Sequence, residues 1–231
     1  NLPLLFQLKA LMKHYSNTSR FFKDERLKAA FTFQNMYLGL SPYDAPATYS
    51  LLQYTELAEG VWYPMGGMYA SIQALTSIAE KLGVRFIYNA PVKILKVKGS
   101  RITGVELEDG REFVSDIFVG NADLPYIYKE LLPNKAEAKV LENKLYTCST
   151  IMFYWGVDKE YPQIAHHNVF LGGDYKASFD QIFNDHTLPE VPSFYVHAPK
   201  RTDPAAAPEG QDTLYVLVPV GHLDARSGQD W

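Results

Sequence analysis

The residues that could do chemistry fall in four places: the adjacent imidazoles His166-His167, the single thiol Cys148, the glycine pair Gly66-Gly67, and the carboxylates Glu56 and Glu59 within an aromatic-rich stretch from Tyr49 to Trp62. Two imidazoles suggest a metal, but neighbours on a strand point to opposite faces. No His or Cys stands at ligand spacing nearby, so no metal site is expected. Cys148, flanked by Thr147 and Ser149, reads as an inert core thiol rather than a nucleophile, and a lone cysteine forms no internal disulfide framework. A glycine pair ahead of a helix lets a cofactor approach the backbone closely and is equally a plain N-terminal turn. Tyr49, Tyr54, Trp62 and Tyr63 beside Leu51, Leu52 and Leu57 suit the wall of an apolar pocket and suit ordinary core as well. Gly-x-Gly-x-x-Gly, P-loop, Gly-x-Ser-x-Gly and zinc-type cysteine spacings are absent from the sequence, so short motifs assign no reaction.

The elements around these residues are legible from periodicity. After Gly66-Gly67, Met68, Ile72, Leu75, Ala79 and Leu82 recur at helical spacing with Gly83 as a stop, and the spacing predicts a helix whose stripe packs on a sheet. Val84, Phe86 and Tyr88 alternate as in a strand until Asn89-Ala90-Pro91. Val92 to Lys98, Arg101 to Leu107 and Arg111 to Val114, parted by Gly99-Ser100 and Glu108-Asp109-Gly110, form a three-stranded antiparallel meander. The unalternating run Ile117 to Gly120 is expected to be a strand covered on both faces that returns to a parallel sheet. This order of elements is that of the second half of a two-part, flavin-binding Rossmann domain.

On either side the pattern changes. Leu4, Leu5, Leu8, Leu11 and Met12 lie opposite Lys9, Lys13 and His14, a helical stripe that suits a core or, less often, a membrane surface. A helix is expected from Asp24 to Leu38, ending at Gly39, and a turn-rich loop from Ser41 to Pro46. Beyond Asp123, helices are expected over Leu124 to Leu132 and Lys135 to Lys144. Strands are expected over Thr147 to Val157, Asn168 to Leu171, Ser193 to His197 and Thr213 to Pro219, with a proline-rich loop from Ala198 to Gly210. The fold class is therefore α/β plus α+β: part of a Rossmann-type domain at 63–125, and a mixed, largely antiparallel substrate domain built from 1–62 and 126–231.

The 231 residues are 47% hydrophobic and 21% charged, enough for a sizeable core. A net charge of -4 gives no electrostatic reason to expect nucleic acid. An oligomer is compatible with the pattern. The lone cysteine fits a reducing, intracellular compartment, and no apolar run in the sequence approaches the roughly 20 residues of a membrane span. The chain opens Asn-Leu-Pro and closes Gly-Gln-Asp-Trp, and is expected to be an internal piece of a longer protein.

Tyr49 to Glu56, Gly60 to Met68, Asn89 to Val92, Gly104 to Gly110, Asn121 to Asp123, Ala165 to His167, Tyr195 to Pro199, Thr202 to Pro204, Ala207 to Gly210 and Val216 to Val220 resemble, in order and spacing, the bacterial and fungal type of phytoene desaturase. The segment from Ser41 to Ser50 looks fungal. The resemblance implies an FAD-dependent oxidoreductase that removes hydrogens from the colourless polyene phytoene to make more conjugated carotenoids. It implies a flavin lying across a Rossmann domain and a substrate entering from a membrane on which the enzyme docks peripherally. The family's N-terminal FAD fingerprint and its C-terminal flavin-contacting segment are not in this sequence, so the fragment alone is not expected to hold flavin tightly or turn over. Carried over by position, Val92 would meet the adenine side of FAD. Asn121, Ala122 and Asp123 would lie near the cofactor crevice, with a sheet role for Val92 and a helix-cap role for Asp123 as the structural alternatives. Pro64, Gly66, Gly67 and Met68 would approach the flavin ring.

An apolar polyene offers no hydrogen-bonding group, so binding rests on buried area, at about 25 cal/mol per Å². Hydride loss leaves a delocalised cation that aromatic faces or a carboxylate could stabilise. Glu56, with Tyr54 and Trp62, is the candidate for lining the reacting region, the alternative being a salt-bridged surface Glu56. A carotenoid isomerase, an amine oxidase of the same fold, or a truncated non-catalytic carotenoid-binding chain are the other readings.

Overall fold

The computed structural model describes residues 9–133, 135–223 and 228–231. Of the expected N-terminal stripe, Leu4, Leu5 and Leu8 lie outside the described residues. The chain divides into two compact units, one spanning residues 76–145, the other formed by the chain up to Leu75 and from Tyr146 onward.

The 76–145 unit is built on the expected meander: β1 (Val92–Lys98), β2 (Arg101–Leu107) and β3 (Glu112–Phe113) pair antiparallel in that order. Gly99 at φ +63° and Gly110 at φ +85° supply the left-handed turn positions that side-chain-bearing residues resist. The Asp109 carboxylate accepts from the Arg111 N–H at 3.0 Å and fixes the second turn. Irregular register between Val92 and Ile94 and between Lys96 and Val97 bends β1. A helical segment, Leu124–Tyr126, runs on into a π turn, Ile127–Leu131, that buries Leu131, and a helix follows at Ala136–Glu142.

Three expectations fail here. Val84 to Tyr88 and Ile117 to Gly120 are not strands, because a strand exists only with a hydrogen-bonded neighbour and among the described residues neither run has one. The helix Met68–Lys81 does form, but none of its residues is buried, so its apolar stripe packs on no sheet among the described residues. The alternation and the stripe were read correctly as apolar; what they pack against was not.

The other unit holds β4 (Ser149–Val157), β5 (His167–Phe170), β6 (Phe194–His197) and β7 (Asp212–Val220). They form one sheet in the order β4-β7-β6-β5, with every pair antiparallel. All four strands lie where the pattern put them, within two residues. One face is the core, with Val196, Ala198, Leu214 and Val216 packed against Val157, Tyr161 and Ile164. The loop after β6 contains two tight turns, Pro199–Arg201 and Pro204–Ala206. It is fastened to β7 by the Arg201 guanidinium, which donates to both oxygens of buried Asp212 at 3.2 and 2.6 Å. The helix Tyr175–Phe183 joins β5 to β6, capped by Asp174, whose carboxylate accepts from the Ala177 N–H.

The long helix expected from Asp24 is instead Glu25–Ala30 followed by a tighter turn, Phe33–Leu38. Thr32 causes the break: its hydroxyl donates back to the Lys28 carbonyl at 2.8 Å, a bond that competes with helical propagation. Gly39, at φ +67°, closes the segment as expected. The aromatic-rich stretch contains the helix Ser50–Glu59.

Candidate functional site

The sheet face opposite the core carries the chemistry. In strand alternation the core takes Val196, Leu214 and Val216, which leaves Tyr195, His197 and Tyr215 on the other face. His197 stands opposite His167 in register and Tyr195 opposite Val169. The His197 and His167 rings stack at 5.6 Å. His166 joins them, with its ring 4.6 Å from that of His197 and 4.4 Å from that of His167.

The expectation that His166 and His167 point apart is thus corrected. The alternation rule holds only inside a strand, and β5 begins at His167; His166 sits in the bend before it, free to turn its ring the same way. Among the described residues, even so, no group of three His, Cys, Asp or Glu side chains is arranged to hold a metal ion.

His166 and His197 are tied together by a hydrogen bond, and His167 meets both through ring contacts. His197 Nε2 and His166 Nε2 lie 2.8 Å apart, a distance that requires one proton between them. His166 Nδ1 bonds Thr202 Oγ1 at 2.5 Å, and His167 Nδ1 bonds the Tyr195 hydroxyl at 2.6 Å. Burial pushes His197 down to about 4, with the neighbouring His166 and His167 adding to it. Burial also lowers His166, helped by His167. It lowers His167 too, against the opposing pull of the Glu56 charge. At neutral pH all three rings are therefore uncharged. Burial raises the Tyr195 hydroxyl, with Tyr37 and Tyr215 contributing, so it stays protonated.

The glycine turn is docked on this cluster. Tyr63, immediately before Pro64, sets its ring edge-on to His166 at 5.0 Å and to His197 at 5.5 Å. Gly66 and Gly67 both take φ +85°, the left-handed region that favours glycine. The Gly67 N–H donates to the Pro64 carbonyl at 3.0 Å, and the Gly66 N–H donates to Asp203 Oδ2 at 2.8 Å. Asp203 is only 4% exposed, and its other oxygen accepts from the Ala205 N–H. A Cβ at Gly66 would come no closer than 3.6 Å to another side chain, Ala70, and one at Gly67 3.5 Å to the Tyr63 hydroxyl. The turn's two N–H groups are spent internally; what it offers a cofactor is a smooth, side-chain-free surface. Met68 opens the helix beyond it, exposed.

Glu56 stands on the helix Ser50–Glu59, half-buried, and accepts from Gln34 Nε2 at 3.2 Å. Gln34 in turn accepts from Gln53 Nε2 at 3.0 Å. The Glu56 charge acts on His167 and on Tyr37, whose hydroxyl is raised first by burial and then by Glu56. Tyr54 and Trp62 are 67% and 89% exposed. Cys148 is half-buried, and burial pushes its thiol up, as suits an inert thiol.

In the 76–145 unit, Val92, Asn121 and Ala122 are brought together. They line one cavity of about 420 Å³, with Leu95, Ile102 and Leu131 among its apolar walls. Asp123 precedes the segment Leu124–Tyr126 in the capping position, without a side-chain capping bond. The carboxamide of Asn121 in an otherwise apolar wall suits a flat heteroaromatic ring; among the described residues that line this cavity none is a cation to meet a pyrophosphate.

Sequence reasoning missed His166, His167, His197, Tyr195 and Asp203 as site residues. Their signal was present in the family-like segments Ala165 to His167, Tyr195 to Pro199 and Thr202 to Pro204. What was missing was the β5–β6 register that superimposes them.

The family model of the flavin containing amine oxidoreductases matches residues 8–143, more than half of the chain. The chain is 54% identical over 222 residues to a zeta-carotene-forming phytoene desaturase of Myxococcus xanthus, covering 96% of this chain and 43% of that protein. It is 50% identical over 222 residues to a phytoene desaturase of Cercospora nicotianae, covering 95% of this chain and 36% of that protein. Against a lycopene-forming phytoene desaturase of Pantoea ananas it is 37% identical over 233 residues, covering 99% of this chain and 47% of that protein. The chain thus spans less than half the length of these relatives.

Proposed function

We propose that this chain, which belongs to the flavin-containing amine oxidoreductase family, is part of an FAD-dependent phytoene desaturase that extends the conjugation of phytoene toward lycopene-type carotenoids. The observation that carries this reading is the 54% identity, over 96% of the chain, to a zeta-carotene-forming desaturase. It is supported by fungal and bacterial relatives bearing the same activity in their names.

When bound, the flavin supplies an acceptor for hydride. Val92, Asn121 and Ala122 would hold the adenine end in their apolar cavity, with Asp123 at its edge. Pro64, Gly66, Gly67 and Met68 would receive the ring on the bare surface of the glycine turn. In the complete protein, Val84 to Tyr88 and Ile117 to Gly120 would be strands of a Rossmann-type sheet and the Met68–Lys81 stripe would pack on it. Their apolar side chains, exposed in the described residues, support that reading.

The substrate binds by area removed from water, and Tyr54 and Trp62 would line its path. Glu56 would stabilise the positive charge that develops as hydride leaves. Among the described residues no helix is long and apolar enough to cross a membrane. We infer peripheral docking, because a hydrocarbon substrate resides in the bilayer.

The reading is tested by expressing the complete reading frame in bacteria that accumulate phytoene and separating the pigments. Yellow to red polyenes are expected. Colourless phytoene beside soluble, flavin-loaded protein would overturn it.

A further inference from the structure

We propose that His167 is the proton acceptor of the reaction, its Nε2 taking the proton that leaves the substrate, with Tyr195 fixing its ring and Glu56 balancing the charge it gains. The inference rests on the desaturase reading above and adds a catalytic residue to it.

Removing two hydrogens from adjacent carbons requires two acceptors. One carbon loses hydride, both electrons going to the flavin. The neighbouring carbon loses a proton, and the electron pair of that C–H bond becomes the new π bond. The proton needs a base close to the hydride acceptor. Among the described residues the glycine turn that would receive the flavin is docked through Tyr63 on His166 and His197, and through Gly66 on Asp203. Asp203 has both oxygens occupied by backbone N–H groups, and its role is to hold the turn.

Within the imidazole cluster the three rings differ. Both nitrogens of His166 are engaged, by Thr202 and by His197, and His197 Nε2 is engaged by His166. His167 has one nitrogen on the Tyr195 hydroxyl and is the exposed member of the three. If Nδ1 carries the ring proton and donates it to Tyr195, Nε2 presents a lone pair on the open face. The Tyr195 hydrogen bond and the ring contacts with His166 and His197 hold the His167 ring in place, the pre-organisation a proton-transfer site needs. The open side of His167 then lets the proton pass to solvent before the next turnover.

Among the described residues, the titratable groups recorded around His167 are Tyr195 and His197 from β6 and His166 from the preceding bend, and the charge of Glu56 on the helix Ser50–Glu59 acts on it. Of these groups only Glu56 is anionic. Its charge favours the imidazolium form, against the burial that lowers His167.

The test uses the complete, flavin-loaded protein with phytoene in phosphatidylcholine vesicles, comparing wild type, His167→Gln and Glu56→Gln. His167→Gln should retain flavin and lose about 100-fold in kcat, within the usual range for a general base. The neutral ring is the active form, so wild-type kcat should rise with pH through the His167 pKa, an acid limb that His167→Gln lacks. Without substrate, an NMR titration of the imidazole C–H should show Glu56→Gln moving the His167 midpoint to lower pH, since removing a carboxylate removes the stabilisation of the imidazolium. A His167→Gln enzyme with wild-type kcat and an intact acid limb overturns the proton role and leaves the desaturase reading standing. Wild-type protein that leaves phytoene unchanged overturns both. Should His167→Gln not accumulate as folded protein, Tyr195→Phe, which removes the hydrogen bond that fixes the ring, takes its place, and a Tyr195→Phe enzyme with wild-type kcat and an unshifted acid limb overturns the assignment instead.

Discussion

In the sheet β4–β7, Val196, Leu214 and Val216 are no more than 8% exposed, whereas in the 76–145 unit Leu82, Ile117 and Val119 are 78–88% exposed. Both regions are antiparallel and comparably apolar in sequence. The sheet carries its own core and its own fastening, Arg201 on Asp212; the meander supports a cavity and a set of apolar runs with no paired strand among the described residues. The first region holds polar side chains at fixed distances, which is what a chemical step requires. The second offers an apolar recess, which is what holding a ring system requires.

The contrast is broken most severely at Asp212. Its side chain is fully buried; burial pushes its carboxyl up, and the hydrogen bonds from Arg201 and from the Tyr161 N–H outweigh this and hold it below the usual carboxylate range. Asp212→Ala leaves the Arg201 charge without its partner, and about 3–5 kcal/mol of stability should be lost. Hydrogen exchange should show β4–β7 amides exchanging faster while β1–β2 amides keep their protection. A depressed folded pKa fixes the pH dependence: the stabilisation is complete above the unfolded pKa of about 4 and is lost as pH falls through the folded value. Acid unfolding followed by tryptophan fluorescence of Trp155 in β4 should therefore shift to higher pH on weakening the pair with Arg201→Lys.

A smaller effect separates the two kinds of apolar residue. Leu214→Ala, in the core cluster, should cost about 2–5 kcal/mol. Leu82→Ala, at an exposed position, should stay within about 0.5 kcal/mol in this chain. Denaturant midpoints of the two variants measure it; equal losses would erase the distinction. Smaller still is Gly39→Ala. The residue sits at φ +67°, and a Cβ there would fall 2.6 Å from that of Thr147. Backbone strain with a local shift should cost about 1–3 kcal/mol, read as a lowered Tm.

These regions also differ in how far they could be read from sequence. Strand β7 was legible from Thr213 to Pro219 and is observed as Asp212–Val220, because alternation and a long apolar run are local properties. The meander was legible from its two glycine turns. Val84 to Tyr88 was misread because alternation reports what a segment would bury and not whether a neighbour is there to pair with it. The break at Thr32 escaped because a side-chain bond to Lys28 leaves no mark in the hydrophobic period. At the site, Glu56 is reached from the chemistry of hydride loss, and the glycine turn and the cavity residues Val92, Asn121 and Ala122 through family likeness. The imidazole cluster is not, because it depends on pairing His167 with His197, thirty positions apart in sequence, a register fixed only in the folded sheet.

The central claim is that this chain serves a flavin-dependent removal of hydrogen from a hydrocarbon. The measurement that tests it most directly is to mix the complete, flavin-loaded protein with phytoene in vesicles without oxygen or another electron acceptor. The yellow flavin absorbance should bleach in step with the growth of a longer-wavelength polyene band, one flavin reduced per double bond formed. Flavin that stays oxidised while phytoene persists, or while only its double-bond geometry changes, would contradict it.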